Sequence, residues 1–418
     1  MIDQAAIRLE RCDVTVVGAG PAGLAAATAL RQRGIDKVVV IERDTAAGGI
    51  PRHCGHPPFG MREFHRILTG PSYARRLVAT AREAGVELRT GTSVASISQG
   101  GKLLLTDGEG IGQITAKRVI IATGVREASC AARLVSGGRL LGIYTTGALQ
   151  AMVYLKGLKP FQRPVIVGSE LVSFSAILTC RKAGIRPVVM IEENDRVTAR
   201  WPCQWLPRIR GIPLNQNTRL VRIEGEGRVS QVIVADRHGG ERAIDCDGVL
   251  FTGGFTPEAS LARCGHLQVD AGTGGPVVDQ FGRCSDPTYF AAGNLLRPVE
   301  TAGWSWREGQ QVGGWVADDL SGKLSDTGEE RRITPVCPLI KLAVPHTIKM
   351  QHGGEGMTHV QLRFTRPARG KLVARNGSGI VWRRHLRALP ERRVLIPLAA
   401  LAKGSDGGLM KLDFEESS

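Results

Sequence analysis

The sequence predicts an α/β protein with two Rossmann-like dinucleotide-binding domains, β-meander insertions and a small C-terminal β domain. Three observations support this prediction. They are a glycine-rich turn between an apolar strand and a helix near the start, a repeat of that pattern in the middle of the chain, and short alternating runs near its end. The chain has 418 residues, which is enough for two or three domains.

The first turn joins an apolar strand, residues 14–17, to a helix rich in alanine. Gly18, Gly20 and Gly23 fit the pattern G-x-G-x-x-G. In that pattern the first glycine permits the turn, the second lets the backbone approach a pyrophosphate, and the third packs the helix against the strand. A second strand ends on Glu42, where a carboxylate can accept hydrogen bonds from an adenosine ribose. Because all these parts occur in register, we predict a bound dinucleotide.

Helical and extended patterns alternate beyond this acid. We expect a helix at 72–85, a strand at 86–94 and a β-meander across 103–118. The apolar strand 119–121 then ends in the tight turn Ala122-Thr123-Gly124. These parts complete the first dinucleotide-binding unit.

The pattern then repeats. Residues 164–168 form a second apolar strand entering a turn, 174–183 its helix and 186–191 the next strand. Residues 248–254 mirror the first Thr-Gly turn. An extended run and the helical pattern 301–320 then return the chain to the first domain, and short alternating runs follow. The expected limits are 10–155 with 285–322 for the first domain, 160–284 for the second, and 331–418 for the β domain.

Positive charge is concentrated at the C-terminal end. The net charge is +16, and 16 Lys/Arg against 6 Asp/Glu lie between Arg331 and Ser418. A basic tail suits an acidic partner subunit or peripheral contact with an anionic membrane surface, and a solvated basic face is the alternative. Interleaved apolar residues and few aromatics argue against nucleic acid as a partner.

No run reaches the ~18 apolar residues of a transmembrane helix, and the short polar lead shows no signal-peptide pattern. The nine cysteines are scattered, so we expect reduced thiols and a cytoplasmic location. The sequence has no C-x-x-C or C-x-x-x-x-C pair, although a disulfide reductase needs one thiolate to attack and a second to resolve. Cys337 stands alone near the C-terminus, so an iron–sulfur cluster would have to lie in a partner.

Across residues 10–325 these landmarks resemble the two-dinucleotide-binding-domain flavoproteins, the class that includes glutathione and thioredoxin reductases. The resemblance implies FAD in the first domain, with Gly293-Asn294 near the ribityl-phosphate and the helix after Thr301 directed at the flavin. Asn294 replaces the aspartate of that class, so the contact is altered. The cofactor-binding residues so implied are Gly18, Gly20, Pro21, Ala22, Gly23, Glu42, Arg43, Gly49, Ile50, Val94, Ala122, Thr123, Gly124, Gly293, Asn294 and Thr301.

Three stretches resemble a narrower branch: Cys54-x-His56-x-x-Phe59-Gly60, residues 68–74 and residues 293–296. This branch comprises FAD-dependent oxidoreductases encoded beside glycerol-3-phosphate dehydrogenases. The flavin subunits of opine oxidases, hydroxyproline dehydrogenase and hydrogen cyanide synthase are similar more distantly. The resemblance implies one subunit of a hetero-oligomeric dehydrogenase that oxidises a small amino, imino or hydroxy compound. Its partners would be an iron–sulfur protein and a second dehydrogenase subunit.

The second glycine motif is damaged, because it reads Gly168-Ser169-Glu170-Leu171-Val172-Ser173. Glu170 puts bulk and negative charge where a pyrophosphate would lie. We therefore expect NAD(P)H to bind weakly or not at all. The alternative is a shifted pose with Glu192 or Glu193 on the ribose.

Cys54 and His56 are the candidate catalytic residues, in a loop that the resemblance places near the flavin. His56 would move a proton, and Cys54 would make a charge-transfer contact. The structural alternative is a buried small Cys54 and a hydrogen-bonding His56. His53, Cys54 and His56 are too few and too closely spaced for zinc, so no metal is expected.

The leading hypothesis is therefore a flavin-dependent dehydrogenase subunit. One alternative is a self-contained NAD(P)H-dependent flavin reductase, which needs a working second motif. Another is a non-enzymatic flavoprotein scaffold that docks a partner.

Overall fold

The computed structural model describes residues 7–199, 203–298, 300–324, 329–352, 355–377, 379–402 and 408–417. Its α-helices are α1 Pro21–Gln32, α2 Gly70–Glu83, α3 Thr146–Lys156, α4 Leu171–Lys182, α5 Leu206–Ile209, α6 Ser260–Cys264, α7 Ala302–Leu320 and α8 Leu398–Leu401.

The strands of the first two-thirds of the chain are β1 Arg8–Val17, β2 Val38–Glu42, β3 Glu87–Thr90, β4 Ser93–Ser98, β5 Lys102–Asp107, β6 Gly110–Ile121, β7 Val125–Glu127, β8 Ser136–Gly137, β9 Ile143–Thr145, β10 Pro164–Val167, β11 Val189–Ile191, β12 Leu214–Asn215, β13 Arg219–Glu226, β14 Arg228–Ala235, β15 Glu241–Asp245, β16 Gly248–Phe251 and β17 Phe255–Pro257. Those that follow are β18 Tyr289–Ala291, β19 Glu330–Pro335, β20 Ile340–Val344, β21 Thr347–Lys349, β22 His359–Phe364, β23 Ala368–Asn376, β24 Gly379–Ala388, β25 Val394–Pro397 and β26 Gly408–Glu416.

The chain forms two compact units. The smaller unit comprises Ile50–Tyr73 and Arg126–Thr256, and the larger unit comprises the rest of the chain. Residues 50–73 and 126–155, expected in the first domain, group with the smaller unit, and residues 257–284 group with the larger one. The domain limits stay a prediction.

The larger unit is built on a parallel sheet. Strands β3, β2, β1 and β6 lie side by side and parallel, and β18 pairs with β6. Val17 at the end of β1 lies opposite Ile41 on one side and Ile121 on the other. The carboxyl ends of three strands are therefore level, and β1 is the point where the strand order reverses, which is where such sheets bind ligands.

Two strand predictions change in this unit. The strand expected at 86–94 is divided into β3 and β4, because Gly91 (φ +67°) turns the chain between them. The meander strand and the apolar strand 119–121 are one continuous strand, β6, which pairs with β5 at its start, with β18 at its end and with β1 along almost its whole length.

Helices α1 and α7 pack closely in the larger unit. A Cβ at Gly309 would lie 2.0 Å from the Ala22 carbonyl oxygen, and one at Gly313 would lie 2.5 Å from that of Ala26. These positions admit only glycine, so the two helices cross with their backbones in contact.

The C-terminal residues form the expected β structure. Five strands pair in the order β21-β19-β26-β23-β24 and three in the order β20-β22-β25. They enclose an apolar core that includes Leu372, Ile396 and Met410. Leu342 and Val344 of β20 instead join the main core of the larger unit, so this segment is structurally continuous with it.

The smaller unit repeats the parallel arrangement. Strands β12, β11, β10, β16 and β9 are parallel neighbours, and β15, β14, β13 and β8 form a second sheet. The strand expected at 186–191 is shortened to β11, Val189–Ile191. β10 lies between β11 and β16, as β1 lies between β2 and β6 in the larger unit.

Candidate functional site

The first glycine motif forms the turn from β1 to α1. Gly18 has φ +104°, and its N–H donates to the Ile41 carbonyl at 2.8 Å. A Cβ at Gly23 would lie 1.9 Å from the Gly18 carbonyl oxygen, so this position holds helix against strand. No atom lies within 4 Å of a Cβ built on Gly20, and the helix begins there. The backbone at Gly20 therefore borders open space where a phosphate can approach.

The carboxylate of Glu42 stands beside this turn. Its Oε2 accepts the Ala19 N–H at 2.8 Å, and its Oε1 accepts the Asp44 N–H at 3.0 Å. Each oxygen keeps acceptor capacity, which suits a ribose hydroxyl. A Cβ at Gly49 would lie 2.8 Å from the Gly20 Cα, so the loop after β2 passes directly over the start of α1.

Gly293 closes the other side of the α1 N-terminus. It has φ +79°, and a Cβ there would lie 2.7 Å from the Ala22 Cβ. Its N–H donates at 2.8 Å to the buried Glu308 carboxylate, which also pairs with Arg297. Glu308, on α7, thus fixes the backbone at this position, a role that the sequence motifs did not reveal.

Ser305 is a second residue that the motifs missed. It is buried on the first turns of α7, and its hydroxyl has no hydrogen-bond partner in the described part of the chain. Its Oγ lies 4.0 Å from the position of a Cβ on Gly293. A buried hydroxyl without a partner is costly, so this one is suited to a ligand atom between α1 and α7.

The Asn294 side chain braces its own loop. Its amide donates to the Glu300 carbonyl at 3.1 Å and accepts the Glu300 N–H at 2.8 Å. One N–H and one acceptor position of this amide stay available, so the side chain can hold its loop and also contact a cofactor. The braced loop leads to Thr301, which is the N-cap residue of α7.

The other predicted residues are distributed as follows. Thr123 donates its hydroxyl to the Glu258 carbonyl at 2.7 Å, Gly124 has φ +73°, and Val94 lies on β4 opposite Leu105. Arg43 and Ile50 are exposed, and Ile50 belongs to the smaller unit. The residues brought together around the start of α1 are Gly18, Gly20, Pro21, Ala22, Gly23, Glu42, Gly49, Ala122 and Gly293.

This arrangement fits FAD. The first turn of α1 has no acidic residue and no side-chain cap, so its N–H groups and the positive end of its dipole remain for a diphosphate. The open backbone at Gly20, the Glu42 carboxylate and the Ser305 hydroxyl supply the other contacts that such a nucleotide needs.

The second glycine motif has the same backbone turn as the first, but a side chain of this protein lies where a phosphate would bind. Gly168 donates its N–H to the Ile191 carbonyl at 2.9 Å, as Gly18 does in the first motif. The Glu170 carboxylate, however, lies directly on Gly253, where a Cβ would meet its atoms at 2.2–2.4 Å. It accepts the Gly254 N–H at 3.2 Å. The negative charge thus lies across the ends of β10 and β16.

Arg133 and Glu127 complete this cluster. The Arg133 guanidinium donates to the Gly253 carbonyl at 2.6 Å, and burial lowers its pKa while Glu170 and Glu127 oppose that change. Glu127 accepts the N–H groups of Gly147 at 2.7 Å and Gly253 at 3.2 Å, and burial raises its pKa. Side chains of this unit therefore fill the polar space at these strand ends.

Glu192 is likewise engaged. It is only 5% exposed, and it accepts the Ser169 hydroxyl, the Asn194 N–H at 2.9 Å and the Asn194 amide at 2.6 Å. The Ser169 hydroxyl also accepts the Thr198 N–H at 2.9 Å. Its burial and these contacts weigh against the shifted pose on Glu192, whose Oε1 already accepts two hydrogen bonds; Glu193 is exposed.

The geometry does not support a catalytic Cys54. Its thiol is buried 3.4 Å from the Ile50 carbonyl oxygen and 3.4 Å from the Gln150 Oε1. Burial, with a smaller effect of Glu127, raises its pKa to about 12. A thiolate is the form that makes charge-transfer contacts, and this thiol is neutral near pH 7. These observations favour the structural alternative, and a role for Cys54 beside the flavin stays a prediction.

His56 is engaged at both ring nitrogens. Nδ1 lies 2.9 Å from the Pro57 carbonyl oxygen, and Nε2 lies 2.7 Å from the Ser175 hydroxyl on α4. The carbonyl requires a proton on Nδ1, so Nε2 accepts from the serine. His56 therefore ties its loop to α4, and its role in proton transfer stays a hypothesis.

Metal ligands do not cluster in the described ranges, which hold no group of three or more His, Cys, Asp or Glu side chains placed to share an ion. None of the described helices is both long and apolar enough to cross a membrane. Cys203 lies half-buried in a single 3₁₀ turn, and its neighbour Trp201 lies outside the described residues.

Comparison with known proteins agrees with this geometry. Residues 12–309 match the model of the pyridine nucleotide-disulphide oxidoreductase family. The chain is 30% identical over 314 residues to the biphenyl dioxygenase system ferredoxin–NAD(+) reductase component of Paraburkholderia xenovorans, covering 71% of this chain and 69% of that protein. It is also 30% identical over 182 residues to one subunit of the opine oxidase of Rhizobium meliloti, covering 43% of this chain and 38% of that protein. The thioredoxin reductase of T. acidophilum has a similar structure, with a TM-score of 0.64 and 25% identity over 75% of this chain and 99% of that one.

The fold and the first site define a two-dinucleotide-binding-domain flavoprotein. The chain belongs to the pyridine nucleotide-disulphide oxidoreductase family. It is an FAD-dependent oxidoreductase rather than a non-enzymatic scaffold.

Proposed function

We propose that this chain is the flavin subunit of a hetero-oligomeric dehydrogenase that oxidises a small amino, imino or hydroxy compound. The observation that carries the proposal is the Glu170 carboxylate, held on Gly253 and Gly254 in the second nucleotide motif. A chain whose second nucleotide motif is occupied by its own carboxylate binds NAD(P)H weakly. Its electrons must then come from a substrate or a partner.

Electrostatics and space both disfavour a nucleotide there. A carboxylate and a phosphate about 4 Å apart repel by about 1 kcal/mol in water and by several times that in a protected site. The carboxylate also accepts the Gly254 N–H, which a phosphate would otherwise use. Binding NAD(P)H would require Glu170 to leave this position and Arg133 to repack.

Assembly with a partner is supported by the relatives. The opine oxidase relative and hydrogen cyanide synthase subunit HcnB of Pseudomonas aeruginosa are both named as subunits, the latter 24% identical over 336 residues. The lack of a closely spaced cysteine pair in this sequence agrees with a function other than disulfide reduction. We extend the proposal to a cytoplasmic complex with an iron–sulfur protein and a second dehydrogenase subunit.

The residues of this chain bind and orient the cofactor. The start of α1 would hold the diphosphate and Glu42 the ribose, and Glu308 fixes the backbone at Gly293. When bound, FAD supplies the hydride and electron transfer itself. The positive end of α7 favours negative charge near Thr301, because a helix of this length has a substantial dipole.

A second candidate is a self-contained NAD(P)H-dependent flavin reductase. It is favoured by the similarity to the ferredoxin–NAD(+) reductase component, whose alignment covers more than two-thirds of both chains. It requires Glu170 to swing away from Gly254 when the nucleotide arrives.

One anaerobic experiment separates the two candidates. The chain is purified with its flavin, and NADH, NADPH, an opine and a 2-hydroxy acid are added in turn while the visible flavin absorbance is followed. We expect no bleaching by NADH or NADPH, bleaching by dithionite, and bleaching by a substrate alone or once the partner subunit is added. Rapid bleaching by either nicotinamide would overturn the proposal and select the reductase.

A further inference from the structure

The strand β24, residues 379–388, forms one edge of the five-stranded C-terminal sheet. It pairs with β23 on one side, from Gly379 opposite Asn376 to Ala388 opposite Ala368. Within the described ranges, no strand and no backbone hydrogen bond reaches its other side. The outer N–H and C=O groups of this strand, which we call the β24 edge, are thus not used by any described residue.

The β24 edge is strongly basic. Arg383, Arg384, His385 and Arg387 are exposed, and none pairs with an acidic side chain in the part of the chain that the structure describes. Other tail arginines do pair internally, as Arg363 does with Glu300. Three arginines without an acidic partner among the described residues thus lie within five consecutive positions of this strand.

One cross-strand pair is unfavourable without an outside anion. Arg387 lies directly opposite Arg369. Like charges in this arrangement destabilise a sheet. Negative groups supplied by another molecule would relieve this contact.

We propose that the β24 edge is a docking site, where the partner dehydrogenase subunit places an acidic, extended segment as a further strand. This inference rests on the proposed function, because it names how that partner is held. Main-chain hydrogen bonds supply affinity in such strand addition, and side chains at alternate positions supply specificity. Ile380, which is 44% exposed, offers an apolar contact on the strand beside Trp382, which is half-buried against the C-terminal core.

The charge also selects the occupant. A second copy of the same edge would place arginine near arginine, so self-pairing is disfavoured. Acidic side chains flanking a β-strand match the basic side chains and the free main-chain groups at once. A lipid surface or a nucleic acid would use the charge alone.

The experiment uses the full-length flavin-loaded chain and three fluorescent decapeptides. The first alternates Glu with Val, the second replaces Glu by Gln, and the third keeps every Glu but carries two central prolines that prevent strand pairing. Fluorescence anisotropy measures binding, and hydrogen exchange of residues 379–388 reports pairing. We expect the first peptide to bind about tenfold or more tightly than the other two and to slow exchange along β24.

Charge reversal localises the site. Arg383→Glu with Arg387→Glu should weaken the first peptide about tenfold or more. The matched control, Arg208→Glu with Arg210→Glu, changes two exposed arginines of the smaller unit and should leave binding unchanged. Flavin absorbance and dithionite reduction should be the same in both variants, which shows that the fold is intact.

Three outcomes would overturn the inference. They are no binding of the first peptide, equal binding of the proline-containing peptide, or full competition by vesicles of anionic lipid without protection of β24. None of these touches the test with NADH, so failure here leaves the proposed function standing.

Discussion

Replacing Glu170 by glycine is expected to open the second motif to NADH. The carboxylate lies on Gly253 and holds the Gly254 N–H at 3.2 Å, so its removal frees both the space and a hydrogen-bond donor. Glu170 is the N-cap residue of α4 and makes no side-chain cap there. Glycine is acceptable at that position, so the helix should keep its start.

The size of the effect follows from the charge. Two unit charges about 4 Å apart interact by about 1 kcal/mol in water and about 4 kcal/mol at an effective dielectric constant of 20. This range corresponds to about 5- to 1000-fold in the dissociation constant of NADH. Glu170→Gln removes the charge and keeps the bulk, so it should recover only part of the gain. Arg133 would then face the nucleotide with less opposing charge.

The assay is anaerobic stopped-flow absorbance of the flavin band over a series of NADH concentrations. Glu226→Gln serves as the matched control, because Glu226 is an exposed acid of the smaller unit on β13 with no role in either nucleotide pose. The reasoning is refuted if Glu170→Gly and the control give the same affinity and rate as the unaltered chain. It is also refuted if the unaltered chain already reacts rapidly with NADH.

The remaining predictions concern packing, titration and reactivity. Gly309→Ala should destabilise the fold by about 2–4 kcal/mol, because its Cβ would lie 2.0 Å from the backbone of α1. Thermal denaturation should also show earlier loss of flavin. The control Gly314→Ala, whose Cβ meets only a flexible side chain at 3.4 Å, should show neither effect. Burial raises the pKa of Asp279 to about 6, so its contribution to stability is present at low pH and is lost as pH rises through 6. Asp279→Asn should remove that dependence in urea unfolding at pH 4.5 to 7.5, and an unchanged profile would contradict the assignment. Iodoacetamide at pH 8 should modify the exposed Cys264 and spare Cys54, whose thiolate fraction is about 10⁻⁴ at that pH. Peptide mass spectrometry measures the labelling. Equal labelling of the two cysteines would show that Cys54 is accessible and ionised.

The first nucleotide site could be predicted from local sequence. Gly18, Gly23 and Glu42 act within one strand-turn-helix-strand unit, where each position is set by neighbours close in the chain. The parallel strands were predicted for the same reason, since a short, continuous apolar run bounded by turns is typical of a buried parallel strand. The resemblance added the cofactor, which family membership now establishes.

Contacts between distant segments were beyond the sequence. Ser305 and Glu308 lie on an ordinary helical pattern, and only the crossing of α7 over α1 brings them to Gly293. Asn294 matched a motif position, yet its amide is used by Glu300. A motif gives the residue type at a position and does not give the hydrogen bonds that surround it.

The sequence by itself determined that the second motif carries an acid in place of a glycine. Only the tertiary structure decided where that acid lies. The N–H that donates to the Glu170 carboxylate belongs to Gly254, which lies 84 residues later in the chain. The burial that neutralises Cys54 was decided in the same way, by the packing of its loop on α3 at Gln150. Local chemistry sets what a residue can do, and long-range packing sets whether it is charged, free or already bonded.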